Sequence, residues 1–216
     1  MSLDWPVNQA GYVYRALRLT EPRQQGWDVY ALQNALNAFR ADLATDGVLG
    51  TKTAEAIVTF QRSRDDLIGD GIAGVATQQK ITAILARRVN EGLGLPNGLP
   101  YGQLEHESAC LLGNNSPVRS DGTYDAGVAQ QNTRYTHPTL GFNPVASVNR
   151  LGTHLRDKYN EYYPKVRVSR RSWELAVGSW NAPAWTDKLA SGGTLTQTQS
   201  DWIEAYIDGA TAYVVW

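Results

Sequence analysis

Cysteine occurs once in the 216 residues, as Cys110, and histidine three times, as His106, His137 and His154. One thiol excludes an internal disulfide framework and a Cys-rich zinc site. Three scattered histidines show no ligand spacing such as H-E-x-x-H, so neither a metal nor an organic cofactor is expected. Charge of one sign is missing too. Twenty Lys and Arg stand against 21 Asp and Glu, a formal net charge of -1, and that balance argues against a dedicated nucleic-acid binder. No apolar run approaches the ~18 residues of a membrane span. The opening Met-Ser-Leu-Asp-Trp-Pro lacks the basic and apolar regions of a signal peptide. A soluble product of a reducing cytosol, with no stable membrane insertion, is the expectation. What is present fits a globular protein: 42% hydrophobic and 19% charged residues, enough to bury a core. Trp (7) and Tyr (11) far outnumber Phe (3). Aromatic rings with a polar edge suit stacking on sugars, and they serve equally well as amphipathic core.

The Gly- and Pro-rich segment from Asn90 to Gly102 divides the chain. The expected organisation is a small domain over 1–90, a linker over 91–102 and a second domain over 103–216. Helical spacing dominates both parts, so the expected fold class is mainly α. In the first part Val29, Leu32, Leu36 and Phe39 follow a helical period, as do Ala54, Ile57 and Phe60, and then Ile81, Leu85 and Val89. Two turns punctuate these helices. Asp46-Gly-Val-Leu-Gly-Thr-Lys-Thr53 repeats as Asp70-Gly-Ile-Ala-Gly-Val-Ala-Thr77. Asp-Gly supplies a tight turn in which Gly takes positive φ, and the second Gly permits a sharp helix entry. This part carries no nucleophile or acid–base pair.

Gly26-Trp-Asp-Val-Tyr-Ala-Leu-Gln33, the first D-G turn, Phe60-Gln61 and the second D-G turn resemble, in order and spacing, the peptidoglycan-binding domain type 1. The resemblance covers about 26–82 and implies a three-helix module that docks on cell-wall peptidoglycan. The loop Arg40–Thr45 departs from it, lacking the Gly-Tyr often found there.

In the second part, Leu99 to Gly113 reads as a helix with Pro100 in its first turn and Gly past its end. Leu104, Ser108 and Leu111 share a face, with Glu107 and Cys110 beside them. A carboxyl against an apolar face is disposed to a raised pKa and to general acid work, whereas most helical Glu are solvated, as expected of Glu105. A polar loop follows with Asp121 and Asp125. Asn143 is the expected N-cap of a helix that Pro144 opens and Pro164 ends, with Val148, Leu151, Leu155 and Tyr159 on one face. Another helix runs from Ser172 towards Pro183, and a last one over about 198–216 places Trp202, Ala205, Ile207 and Ala210 together.

Together these segments, roughly 98–190, resemble the lysozyme-like domain shared by soluble lytic transglycosylases and goose-type lysozymes. Glu107-Ser108 is similar to the family's Glu-Ser, and Gly127-Val-Ala-Gln130 to its Gly-Leu-Met-Gln turn. Ser179-Trp-Asn-Ala-Pro183 is similar to its Ala-Tyr-Asn-Ala-Gly. Ala129, Trp180 and Pro183 depart from that pattern. The resemblance implies that Glu107 protonates the glycosidic oxygen between N-acetylmuramic acid and N-acetylglucosamine, with Ser108 and Gln130 positioning the substrate. It implies that Asn181 holds a sugar or orders the acid; Trp180 and Tyr135 are candidate walls of a sugar groove. A transglycosylase needs no second carboxylate, because the same Glu then deprotonates the muramic 6-hydroxyl. A hydrolase needs one to orient water. Asp121 lies near one of the places where goose-type lysozymes carry it, Asn132 occupies the other, and Asp125 is a further candidate; the outcome stays open.

Two other readings compete. A wall peptidase or amidase would use Cys110 with one of the three histidines, and a wall-binding structural protein would have an inert second half. The basic cluster Lys165, Arg167, Arg170 and Arg171 reads as a solvated face or as a contact with anionic polymer. The overall plan, a wall-binding module before a compact glycosidase, resembles a bacteriophage endolysin. That resemblance implies a monomer held in the host cytoplasm until its release to the wall, with peptidoglycan glycan strands as its partner.

Overall fold

The computed structural model describes residues 5–216 and is mainly α, as expected. In order, the elements are α1 (Trp27–Asn37), α2 (Thr51–Arg62), α3 (Val75–Leu93), α4 (Leu99–Ser108), a two-stranded antiparallel hairpin of β1 (Asp125–Ala126) and β2 (Gln131–Asn132), α5 (Pro138–Gly141), α6 (Pro144–Val166), α7 (Ser169–Gly178), α8 (Pro183–Ala190) and α9 (Gln197–Thr211). Among the described residues no helix is long and apolar enough to cross a membrane.

The chain forms two compact units, and they differ from the expected division at 91–102. The first comprises the chain up to Leu85 together with Glu107–Ser147; the second comprises Ala86–His106 and Val148–Trp216. The boundaries fall inside α3, α4 and α6. The expected linker is helical at both ends, because α3 runs on to Leu93 and α4 starts at Leu99.

In the first unit a glycine precedes each of α1, α2 and α3, at Gly26, Gly50 and Gly74, a spacing of 24 residues each time. Its carbonyl accepts the first helical bond, from Tyr30, Ala54 and Gln78 respectively. The two D-G turns are built alike around a buried glutamine. Gln33 Nε2 donates to Asp46 Oδ1 (2.8 Å), Val48 O and Thr53 Oγ1, while Gln33 Oε1 accepts from Gly47 N (2.7 Å). Gln61 does the same with Asp70 Oδ1 (2.9 Å), Ile72 O, Thr77 Oγ1 and Gly71 N (2.9 Å). Gly47 and Gly71 take φ of 66° and 75°, the positive values the turn requires. Each glutamine satisfies four groups at the turn with one side chain, which explains how a carboxamide comes to be buried there.

Segment 107–147 packs against this three-helix core. The Trp27 ring stacks on Phe142 (centroids 4.9 Å, 14°) and meets Trp5 and Tyr30 edge-on. Tyr30 Oη donates to Thr139 O, and Asn143 Nδ2 to Asn34 Oδ1 (3.1 Å). The N-terminal segment pairs with the same stretch, Tyr12 N donating to Asn115 O and Val118 N to Gln9 O. Apolar α1 therefore buries its face on sequence that the linker was expected to separate from it, and this is why the compact units depart from the two sequence halves.

Three local expectations are corrected. The helix from Leu99 ends at Ser108, not near Gly113, because Ala109 and Cys110 turn into the left-handed region (φ 51° and 59°). Cys110 therefore lies past the helix and is fully buried. Pro164 sits inside α6, which continues to Val166 and stops where Arg167 takes φ 55°. In α9 the buried face is Ile203, Tyr206, Ile207 and Ala210, while Trp202 stays 46% exposed. The Asn143 cap holds: its Oδ1 accepts from Val145 N and Ala146 N at 3.1 Å.

In the second unit α7 packs on α8 and α9. Arg171 bridges α7 to α9 through a bidentate pair with Glu204, at 2.6 and 3.2 Å. Thr196 caps α9 in a reciprocal box with Gln199.

The shared glutamine geometry makes a prediction. Gln61→Leu strands the Gly71 N–H without an acceptor, removes one of the two donors to Asp70 Oδ1 and should destabilise the first unit by about 2–3 kcal/mol. Denaturant unfolding monitored by tryptophan fluorescence would read this directly.

Candidate functional site

Leu104 and Ser108 are buried on one face of α4, and Glu107 sits half-buried beside them. The left-handed pair Ala109–Cys110 then swings the chain away. Cys110 O accepts from Thr82 Oγ1 (3.0 Å), and Leu112 N donates to Gln78 Oε1 (3.1 Å). Two residues on, Asn114 O accepts from Gly127 N (2.7 Å), and Asn115 bridges Ala126. These bonds bring the hairpin back to the helix end.

The connection between β1 and β2 is the Gly127–Gln130 turn. Gly127 has φ 73°, and a Cβ there would overlap the Gly141 carbonyl oxygen. Gln130 is left-handed (φ 47°), and its Nε2 donates to Gly127 O (2.8 Å) and Asn114 O (3.3 Å). Ser108 Oγ donates to Val128 O at 2.7 Å. The two expected motifs, Glu107-Ser108 and Gly127–Gln130, are thereby joined by a buried hydrogen bond. Ser108 and the Gln130 amide, expected to position substrate, are both engaged in holding the turn against the end of α4.

The carboxylates around the hairpin are also committed. Asp121 Oδ1 accepts from Thr123 N (3.0 Å) and Thr123 Oγ1 (2.7 Å), and Asp121 Oδ2 pairs with Arg134. Hydrogen bonds from Thr123, aided by Arg134, pull its carboxyl down to about 2. Such a carboxylate is a weak proton acceptor near neutral pH, where an efficient base needs a much higher pKa. Asp125 pairs with Arg119 (2.5 Å) and accepts from Asn132 Nδ2 (3.0 Å), while Asn132 Oδ1 accepts from Arg134 N. Asn132 thus fastens the two strands to each other. Tyr135 is 76% exposed at the foot of β2.

Trp180 and Asn181 belong to the second unit, just past α7. Asn181 is exposed; Trp180 is half-buried, edge-on to His154 with centroids at 5.0 Å. His154 Nε2 contacts Ser179 Oγ at 2.8 Å. Burial, with Lys158 adding to it, lowers the His154 pKa to about 4. The other histidines are engaged as well: His137 caps α5 through Thr139, and His106 stands edge-on to Tyr206. Among the described residues no group of three His, Cys, Asp or Glu side chains is placed to hold a metal ion.

Sequence reading missed Asn114, Arg119 and Arg134, the partners that pin the turn and the two aspartates.

A second surface feature lies on the three-helix core. A groove of about 600 Å³ runs along α2, lined by Ala54, Val58 and Ile72 and by the charged Arg18 and Arg62. That volume is in the range of ligand sites.

Gly127→Ala should cost about 2–3 kcal/mol through overlap with Gly141 and positive φ. Gly122→Ala, at φ 79° with open space around it, should cost only about 1 kcal/mol. Thermal melts of the two variants separate overlap from backbone strain. His154 gives a pH prediction. Its folded pKa lies below its unfolded value near 6.5, so between pH 6.5 and about 4 the unfolded chain binds a proton that the folded chain refuses. Stability should therefore fall as pH drops through that window, and His154→Gln should flatten the slope in unfolding measured at pH 7.0 and 4.5.

A search of curated proteins finds no match to the chain. Residues 25–81, which hold α1, α2, both D-G turns and the start of α3, match the family described as putative peptidoglycan binding domain, and the chain carries a domain of that family.

Proposed function

We propose that the protein cleaves peptidoglycan between N-acetylmuramic acid and N-acetylglucosamine as a lytic transglycosylase, with Glu107 as the catalytic acid and base. The observation that carries this reading is the Ser108–Val128 hydrogen bond, which sets the Glu-Ser helix end against the Gly127–Gln130 turn. Glu107 protonates the glycosidic oxygen as the bond to the muramic C1 breaks. The resulting carboxylate then takes the proton of the muramic 6-hydroxyl, whose oxygen closes on C1 to form the 1,6-anhydro ring. One carboxyl suffices for both steps, acting as acid and then as base. The state of the neighbouring acids supports this outcome over hydrolysis. Both Asp121 oxygens are engaged, by Thr123 and by Arg134, and those of Asp125 by Arg119 and Asn132, so neither carboxylate offers an uncommitted oxygen to a water.

The peptidoglycan-binding domain supports the choice of substrate. Holding the enzyme on the insoluble polymer raises the local concentration of scissile bonds. Such a pairing of parts fits an endolysin, delivered to the wall after accumulating in a bacteriophage's host.

Mass spectrometry of soluble fragments from purified sacculi tests the reading. Anhydro-muramic ends are expected. Glu107→Gln should lower their release by about 10²–10⁴-fold, and Asp121→Asn should leave it within about twofold. Reducing muramic ends, one water heavier, would replace the transglycosylase with a muramidase. Cut peptides with intact glycan would remove Glu107 from the chemistry.

A further inference from the structure

The groove along α2 has a polarity that selects among the parts of peptidoglycan. Its apolar lining comes from Ala54, Val58 and Ile72 with Leu19, which is 45% exposed. Gly71 leaves it open: a Cβ there would lie 3.2 Å from Val58 Cγ2. Arg18 and Arg62 line it as exposed residues, and Glu55 is exposed one turn before Thr59. Among the described residues none of these three charges has an intramolecular ion pair. Arg15, Arg119, Arg134 and Arg171, by contrast, are all paired. Asp70 also lines the groove, but its Oδ1 is spent on Gln61 and Ile72 N.

Arg18 and Leu19 precede the residues that match the peptidoglycan-binding family. They are brought to the groove by a two-bond antiparallel bridge, Leu17 N to Ala73 O (3.3 Å) and Ala73 N to Leu17 O (2.8 Å). One side of the groove is therefore supplied by this chain's own N-terminal segment.

Two open cations and one open anion around an apolar trough do not match a glycan strand, whose sugars are almost uncharged. They match the peptide stem. A stem containing diaminopimelate presents alanine methyl groups, several free carboxylates and an ammonium along a short, extended backbone. We propose that this groove binds the peptide stem of peptidoglycan, with its methyl groups on Ala54, Val58 and Leu19, carboxylates on Arg18 and Arg62, and the ammonium towards Glu55. The proposal rests on the reading of 25–81 as a peptidoglycan-binding domain. Guanidinium groups are suited to it, since they grip carboxylates in a planar, two-bond geometry.

Calorimetric titration of the full chain with the tetrapeptide L-Ala-γ-D-Glu-diaminopimelate-D-Ala, and separately with the N-acetylglucosamine tetramer, tests it. Sedimentation with purified sacculi runs in parallel. The tetrapeptide is expected to bind, about tenfold more weakly in the Arg18→Ala/Arg62→Ala variant and more weakly as salt rises. Glu55→Gln should weaken it less, and the sugar tetramer should not compete. Both arginines are exposed, so thermal unfolding of the variant should match the parent. Tetrapeptide affinity unchanged in the double variant would overturn the proposal, as would sugar-tetramer binding that displaces the peptide. Sacculi bound while the tetrapeptide is not would reject the stem site alone. Sacculi left unbound by the parent protein would reject the wall-binding reading with it.

Discussion

One face-to-face ring contact, Trp27 on Phe142, underlies the arrangement of the first unit. Trp27 is the first residue of α1, and its indole N–H donates to Trp5 O (2.8 Å). Phe142 follows Gly141, whose carbonyl leaves no room for a side chain at residue 127. A continuous line of packed atoms therefore runs from the first helix of the wall-binding domain to the turn that faces Ser108. An aromatic pair adds only about 0.5–1.5 kcal/mol beyond the area it buries. Here its position matters more than its strength, because the hydrogen bonds of Tyr30 and Asn34 to segment 139–143 depend on the same approach.

The sequence made some of this legible and concealed the rest for identifiable reasons. Asp-Gly turns, the Asn143 cap and the apolar period of α1 and α2 are local signals, and local physics sufficed for them. The end of α4 was misplaced because Ala109 and Cys110, neither a glycine, adopt positive φ; their cost is met by contacts to Thr82 and Gln78 more than 25 residues away in the chain. Pro164 misled in the opposite sense. A proline in the last turn of a long helix interrupts it less than one in the middle. The linker was inferred from Gly and Pro content. What decides the compact units is the partner of α1's apolar face, and no short window of sequence contains that partner.

The candidate site shows a similar split. Glu107, Ser108 and the Gly127–Gln130 turn were legible as motifs, and the structure brings them together. Their working relation was not legible, since the Ser108 hydroxyl and the Gln130 amide donate inward to backbone carbonyls. Around the hairpin, Arg119 and Arg134 turn two aspartates into structural anions. Spacing gives the positions of carboxylates, but only the folded chain shows which partners they take.

The 24-residue spacing of Gly26, Gly50 and Gly74 has a corollary for how this domain is completed. The buried glutamine comes seven residues after the first glycine, eleven after the second and four after the third, steps that all fall on one side of a helix. The first two glutamines each close on an Asp-Gly turn. Gln78 is offered no such turn by its own repeat and accepts instead from Leu112, just beyond α4. The tandem device is thus left open by one socket, and the segment leading from Glu107 to the hairpin fills it. In this chain the domain is finished by the segment that follows it, which makes its boundary a shared bond and not a seam.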